Sequence, residues 1–221
     1  MSDSLSALLQ SARLLRPSRA NAPDIGWVPW QGRAALLKSY HHCSPIYRHT
    51  VGRLALDREW RALRRLEGSG RAPLPLARPL PWVVVMEWIE GTPLEAVQRG
   101  QLPASHLVAE TEALLATLAD AGVVHGDIGH DHWSVQGRES NIMLAPGGRM
   151  VAIDFAGSWS LQGPARPWHG LGRALHQHDQ LLLTKVLYHL GDESTESHPG
   201  WRLPSQRPLA WWDLMKLLGK V

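Results

Sequence analysis

The chain has 221 residues and a mass of 24.6 kDa, enough for one domain of two lobes and too little for two independent domains. Hydrophobic residues at 44% against 19% charged ones support a packed core and exclude wholesale disorder. A net charge of +3 permits an anionic partner such as a nucleotide without calling for nucleic acid, and none is expected. The single cysteine, Cys43, excludes an internal disulfide framework and a cysteine-based zinc site. The apolar runs are too short to span a bilayer, and Met1-Ser2-Asp3-Ser4 lacks the basic start and apolar core of a signal peptide. A soluble cytoplasmic protein is therefore expected.

In chain order, Leu5, Leu8, Leu9, Ala12 and Leu15 predict a helix from Ser4 to Leu15, ended by Pro17. Residues 18–25 read as loop. Two strands follow, Gly26 to Trp30 and Arg33 to Tyr40, turning at Gln31-Gly32. Leu54, Leu56, Trp60, Leu63 and Leu66 predict a helix over 52–67, stopped by Gly68-Ser69-Gly70. Pro73, Pro75, Pro79 and Pro81 mark a stiff connection before the clearest strand, Trp82 to Ile89. A short helix is expected from Pro93 to about Arg99 and a long one from Ser105 to Asp120. Val123-Val124 then leads into a polar loop over 125–140. A strand pair follows, Ile142 to Leu144 and Met150 to Ile153, turning at Pro146-Gly147-Gly148. Helices over 171–190 and 209–219 flank a polar loop over 191–208. The eleven tryptophans, Trp211 and Trp212 among them, read as packing residues. A mixed sheet followed mainly by helices implies an α+β fold with a lobe boundary near residue 88.

Polar residues stand where this pattern leaves chemistry-bearing ends. Lys38 ends an apolar strand and Glu59 lies on the next helix. Asp127 and Asn141 lie in the polar loop, and Asp154 follows the apolar run Met150 to Ile153. Phosphoryl transfer uses these groups: a lysine on the phosphates, a carboxylate holding it, an aspartate orienting the acceptor hydroxyl, and an amide and a carboxylate on magnesium.

Here the chain resembles the protein-kinase-like superfamily. Val124-His125-Gly126-Asp127 is similar to the catalytic-loop start of RIO-type kinases, aminoglycoside phosphotransferases and lipopolysaccharide-core sugar kinases. Asn141-Ile142-Met143-Leu144 resembles the metal-binding Asn and its strand. Ile153-Asp154-Phe155, thirteen residues on, resembles the second metal site. Leu36-Leu37-Lys38, Arg58-Glu59-Trp60 and Met86-Glu87-Trp88-Ile89-Glu90-Gly91 resemble the lysine strand, its partner helix and the adenine hinge. The resemblance implies one kinase-like domain over 1–221, with a small lobe over 1–87 and a mainly helical lobe over 88–221. It implies ATP and Mg2+ as cofactors and a hydroxyl acceptor, a protein Ser/Thr first and a lipopolysaccharide-core sugar second. By the same resemblance Asp127 is catalytic, Asn141 and Asp154 bind metal, Lys38 and Glu59 serve the phosphates, and Glu87 and Trp88 meet adenine.

The chain departs from that pattern at several points. The family places its Asn about five residues after the catalytic Asp; here Asn141 comes fourteen residues after Asp127, so residues 129–138 must loop out and return. No glycine-rich loop precedes Lys38, Gly129 stands where protein kinases carry a lysine, and Ala156 replaces the glycine after Asp154-Phe155. These departures keep a catalytically inactive nucleotide-binding pseudokinase as the rival. The cluster His125, His130, Asp131 and His132 raises a metal-hydrolase alternative, and His130 or His132 could instead contact phosphate.

Overall fold

The structure, a computed structural model, describes residues 2–98, 100–128, 140–160, 179, 180 and 183. The expectations for 129–138, Trp168, most of the helix over 171–190, the loop over 191–208, the helix over 209–219 and Trp211-Trp212 lie outside the described residues. The chain divides into two compact units. One comprises Met1–Glu90 with Phe155–Gly157, the other Gly91–Asp154 with Ser158–Val221.

The first unit is built on a five-stranded sheet. Helix α1 spans Ser2–Ser11, and the strands are β1 (Arg13–Arg16), β2 (Asp24–Trp30), β3 (Arg33–Ser39), β4 (Pro75–Leu80) and β5 (Val83–Glu87), in the order β1-β2-β3-β5-β4. The helix predicted over Ser4 to Leu15 thus ends early, and its last residues lie in the edge strand β1. A short apolar stretch flanked by Arg13 and Arg16 gains more from hydrogen bonding to β2 than from one more helical turn. The stiff connection predicted over 73–81 likewise becomes β4. Proline is tolerated there because β4 is the other edge of the sheet. The β2–β3 turn at Gln31-Gly32 has positive φ at both residues, the geometry favoured in two-residue hairpins.

The period-two alternation of β3 decides what each face of the sheet meets. Ala35 and Leu37 point into an apolar cluster with Val28, Val83 and Val85, against which Leu8, Leu9 and Ala12 pack. Lys38 points the other way, toward α3 (Arg53–Leu66). A single turn, α2 (Pro45–Tyr47), and a π-helical stretch, Arg48–Gly52, lead into α3, so helical structure begins upstream of the predicted start at residue 52. Leu56, Glu59, Ala62, Leu63 and Leu66 form the buried face of α3, and Phe155, fully buried, packs against it.

In the second unit, β6 (Thr92–Pro93) leads into a 3-10 turn, Leu94–Ala96, where a short helix is expected. Helix α4 (Ala104–Asp120) is followed by β7 (Val123–Val124). The predicted strand pair appears as β8 (Ile142–Leu144) and β9 (Met150–Ala152), which form a three-stranded sheet in the order β6-β8-β9. Strand β10 (Trp159–Ser160) pairs with β7. Helix α4 holds the β8–β9 hairpin through polar contacts: Glu110 accepts from Met150 N at 2.8 Å, and His106 Nε2 lies 2.8 Å from Gly148 O. Asp179, Gln180 and Leu183 are helical. Among the described residues no helix is long and apolar enough to cross a membrane.

Candidate active site

In the first unit the structure brings Lys38 and Glu59 together. Lys38 Nζ lies 3.1 Å from Glu59 Oε1 and 2.9 Å from Oε2, with the side chains 3% and 1% exposed. Burying an ammonium and a carboxylate costs several kcal/mol each unless they face one another, so strand parity on β3 and helical phase on α3 must agree. They do: Lys38 stands opposite Ile25 and Val84 in the sheet, and Glu59 sits midway along the buried face of α3.

Glu87 ends β5. Its N–H donates to Leu74 O at 2.8 Å, and its Oε2 accepts from Leu74 N at 3.0 Å. Its side chain therefore braces the entry to β4. Its backbone N–H is thereby taken up. Trp88 is half-buried just beyond.

Where a glycine-rich loop would precede Lys38, the β1–β2 connection contains no glycine and is pinned by side chains. Arg19 and Ala22 exchange backbone hydrogen bonds at 3.2 and 3.3 Å. Asp24 accepts from Ser18 N and lies 2.7 Å from His42 Nδ1. Tyr47 Oη donates to Asn21 O at 2.8 Å. Cys43 Sγ donates to Ala22 O and Arg19 O, and burial, with Asp24 adding to it, pushes this thiol up and keeps it a donor.

In the second unit four hydrogen bonds close a ring around Asp127, Asn141 and the residue before Asp154. Asn141 Nδ2 donates to Asp127 O at 2.6 Å, and Ile153 N donates to Asn141 O at 2.9 Å. His125 Nε2 lies 2.9 Å from Ile153 O, and Asp127 N donates to His125 Nδ1 at 3.3 Å. Since Nδ1 accepts, the ring proton belongs on Nε2, and His125 works as a neutral, buried connector. Asp127 itself is exposed. Asp154 takes φ 60, a left-handed backbone that Asp adopts more readily than most residues.

Asp179 anchors this ring and was not among the residues singled out from the sequence. Fully buried, it accepts from His125 N at 2.7 Å and from Gly126 N at 2.8 Å. Two successive N–H groups converge on one carboxylate because Gly126 bends the chain at φ 78. Burial pushes the Asp179 carboxyl up to about 7, with nearby Asp127 adding to the rise and the two N–H donors opposing it. A signal did exist: Asp179 precedes buried Leu183 by one helical turn, so a carboxylate lies on an apolar helical face, as Glu59 does.

The oxygens gathered here are of one chemical kind. With Nδ2 committed to Asp127 O, the Asn141 amide keeps Oδ1 as an acceptor, and Asp127 and Asp154 add carboxylates next to the ring in sequence. Hard oxygen donors without sulfur fit magnesium. Among the described residues no group of three or more His, Cys, Asp or Glu side chains gathers as a metal site, and His130, Asp131 and His132 lie outside the described residues.

A small antiparallel sheet carrying a buried Lys–Glu pair, followed by a unit presenting Asp127, Asn141 and Asp154, defines an α+β kinase-like protein. The RIO domain family model matches residues 33–167, more than half of the chain, and the chain belongs to that family of atypical kinases. Two solved structures share the fold. The Rio2 kinase–ADP/Mg2+–phosphoaspartate complex from Chaetomium thermophilum is similar at a TM-score of 0.61 and 18% identity, over 99% of this chain and 69% of that one. A second structure of the Rio2 kinase from Chaetomium thermophilum gives 0.62 and 20%, over 89% of this chain and 62% of that one. This chain therefore spans about two thirds of those proteins. No match is found among curated proteins.

Proposed function

We propose that this chain is a phosphotransferase that uses ATP and Mg2+, with its two units as the lobes of one kinase domain over 1–221. The observation that carries the reading is the ring joining Asp127, Asn141 and Ile153, because it forms although fourteen residues separate Asp127 from Asn141. Magnesium, when bound, would neutralise charge on the phosphates. Asn141 Oδ1 and the Asp154 carboxylate would hold it. Lys38, kept in place by Glu59, would meet the nucleotide phosphates, and Glu87 and Trp88 would lie along adenine through backbone atoms. Asp127, exposed and held by its backbone N–H and C=O, would orient the acceptor hydroxyl and receive its proton. We take that hydroxyl to be a protein Ser or Thr in the cytoplasm. A lipopolysaccharide-core sugar is the alternative acceptor.

The pinned, glycine-free β1–β2 connection favours a second reading, a pseudokinase that binds nucleotide and transfers nothing. Transfer of labelled γ-phosphate from ATP and Mg2+ separates the two. The expected result is label on a Ser/Thr-containing protein, or on the chain itself, with wild type and none with Asp127→Ala. Label on a sugar acceptor alone would move the assignment to small hydroxyl substrates. Nucleotide binding with no transfer to any acceptor would establish the pseudokinase.

A further inference from the structure

Ser140 immediately precedes Asn141 and is 4% exposed. A buried N–H and a buried hydroxyl must each find a partner. Both find the same one: Glu95 Oε2 accepts from Ser140 N at 3.2 Å and from Ser140 Oγ at 2.7 Å. Glu95 lies far upstream, in the 3-10 turn after β6. Strand β6 meets β8 antiparallel with Thr92 opposite Leu144 and Pro93 opposite Met143, and the same register carried two residues further brings Glu95 beside Asn141. Leu94, fully buried, packs this turn on β8. The strands approach this closely only because residue 91 is glycine, where a Cβ would stand 2.5 Å from Leu144 O.

We infer that Glu95 and Ser140 are positioning residues for Asn141. This inference rests on the reading of Asn141 as a metal ligand. In a chain with the family's short connection, the backbone from the catalytic Asp would itself limit where the Asn can lie. Here fourteen residues intervene, and covalent connection limits it far less. The Glu95 carboxylate supplies the missing restraint. By holding both donors of Ser140 it fixes the residue that leads into Asn141, and Asn141 Nδ2 then reaches Asp127 O. A charge-assisted pair of bonds suits this task, since it is stronger than neutral bonds and directional. Glu95 touches neither metal nor substrate in this arrangement and acts only through Asn141.

The test is a melting-temperature titration of the full chain with ATP, with and without Mg2+. Wild type should be stabilised more by ATP with Mg2+ than by ATP alone. Ser140→Ala should raise the Mg2+ concentration needed for half of that extra shift about fivefold, the effect of losing roughly one hydrogen bond, and Glu95→Ala, which removes both, should raise it at least as much. Both should leave the shift with metal-free ATP unchanged. Ser140→Thr and Glu95→Gln, which keep a donor and an acceptor, should restore the wild-type Mg2+ requirement, and they carry the test if Glu95→Ala fails to fold. Adding Ser140→Ala to Asn141→Ala should change the Mg2+ requirement no further. An unchanged Mg2+ requirement in Ser140→Ala, with a wild type that responds to Mg2+, overturns this inference alone. A further change in the Asn141→Ala background does the same. A wild type that shows no Mg2+-dependent shift overturns the functional reading and this inference with it.

Discussion

The two units hold their functional side chains by opposite means. In the first, Lys38 and Glu59 are buried and paired with each other. In the second, Asp127 is exposed, and its backbone is held by hydrogen bonds running through the His125 ring, the Ile153 backbone and Asn141. A buried ion pair concentrates its energetic stake in two residues, whereas a ring of hydrogen bonds spreads it over several. Substitutions in the two units should therefore divide differently between stability and chemistry.

The largest effect is expected at Glu59. Glu59→Ala leaves an ammonium buried without its carboxylate and should destabilise the protein by about 3–5 kcal/mol in urea unfolding. Replacing both partners, Lys38→Met with Glu59→Leu, should recover most of that stability while abolishing phosphate contact. A double variant no more stable than Glu59→Ala would show that the pair is not an isolated stake.

Next comes the anchor of the ring. The Asp179 carboxyl, at about 7 when folded against an ordinary 3.8, holds a proton that the unfolded chain releases. Stability from this group is therefore greatest at acidic pH, falls as pH rises through about 4 to 7, and is level above that. In Asp179→Asn this slope should disappear. One of the two N–H groups of His125 and Gly126 also loses its acceptor, at a cost of about 1–3 kcal/mol. Urea unfolding of both proteins at several pH values checks this, and equal slopes would remove Asp179 from the account.

Asn141→Ala removes one side-chain bond to Asp127 O and should cost about 1 kcal/mol of stability. Its larger expected effect is on the Mg2+ requirement. The smallest stability effect is expected at Asp127→Ala. An exposed carboxylate whose backbone makes the ring contacts can be removed within about 0.5 kcal/mol, while phosphate transfer is lost.

The contrast also explains what could be read from sequence. The α+β class, the β2–β3 hairpin and the β8–β9 pair were visible because apolar runs met turn residues at Gln31-Gly32 and Pro146-Gly147-Gly148. The Lys38–Glu59 pair was visible as charges set into an apolar strand and helix. Strand β1 was misread as the end of a helix because Ala12 and Leu15 continue the helical spacing of Leu5, Leu8 and Leu9, and its pairing with β2 is not visible locally. Strand β4 was hidden by prolines that only an edge position explains. Asp179 and the Glu95–Ser140 contact went unread for another reason: each works across a long separation in sequence, so the spacing of Asp179 to Leu183 could flag a carboxylate on a helix but not the distant backbone N–H groups it caps.

The division of labour between Asp154 and Asp127 is tested most directly by measuring melting shifts with ATP and Mg2+ alongside phosphate transfer in Asp154→Ala and Asp127→Ala. The account predicts that Asp154→Ala loses transfer together with the Mg2+-dependent part of the shift, while Asp127→Ala loses transfer and keeps the shift. Loss of the Mg2+-dependent shift to the same degree in both variants would contradict it.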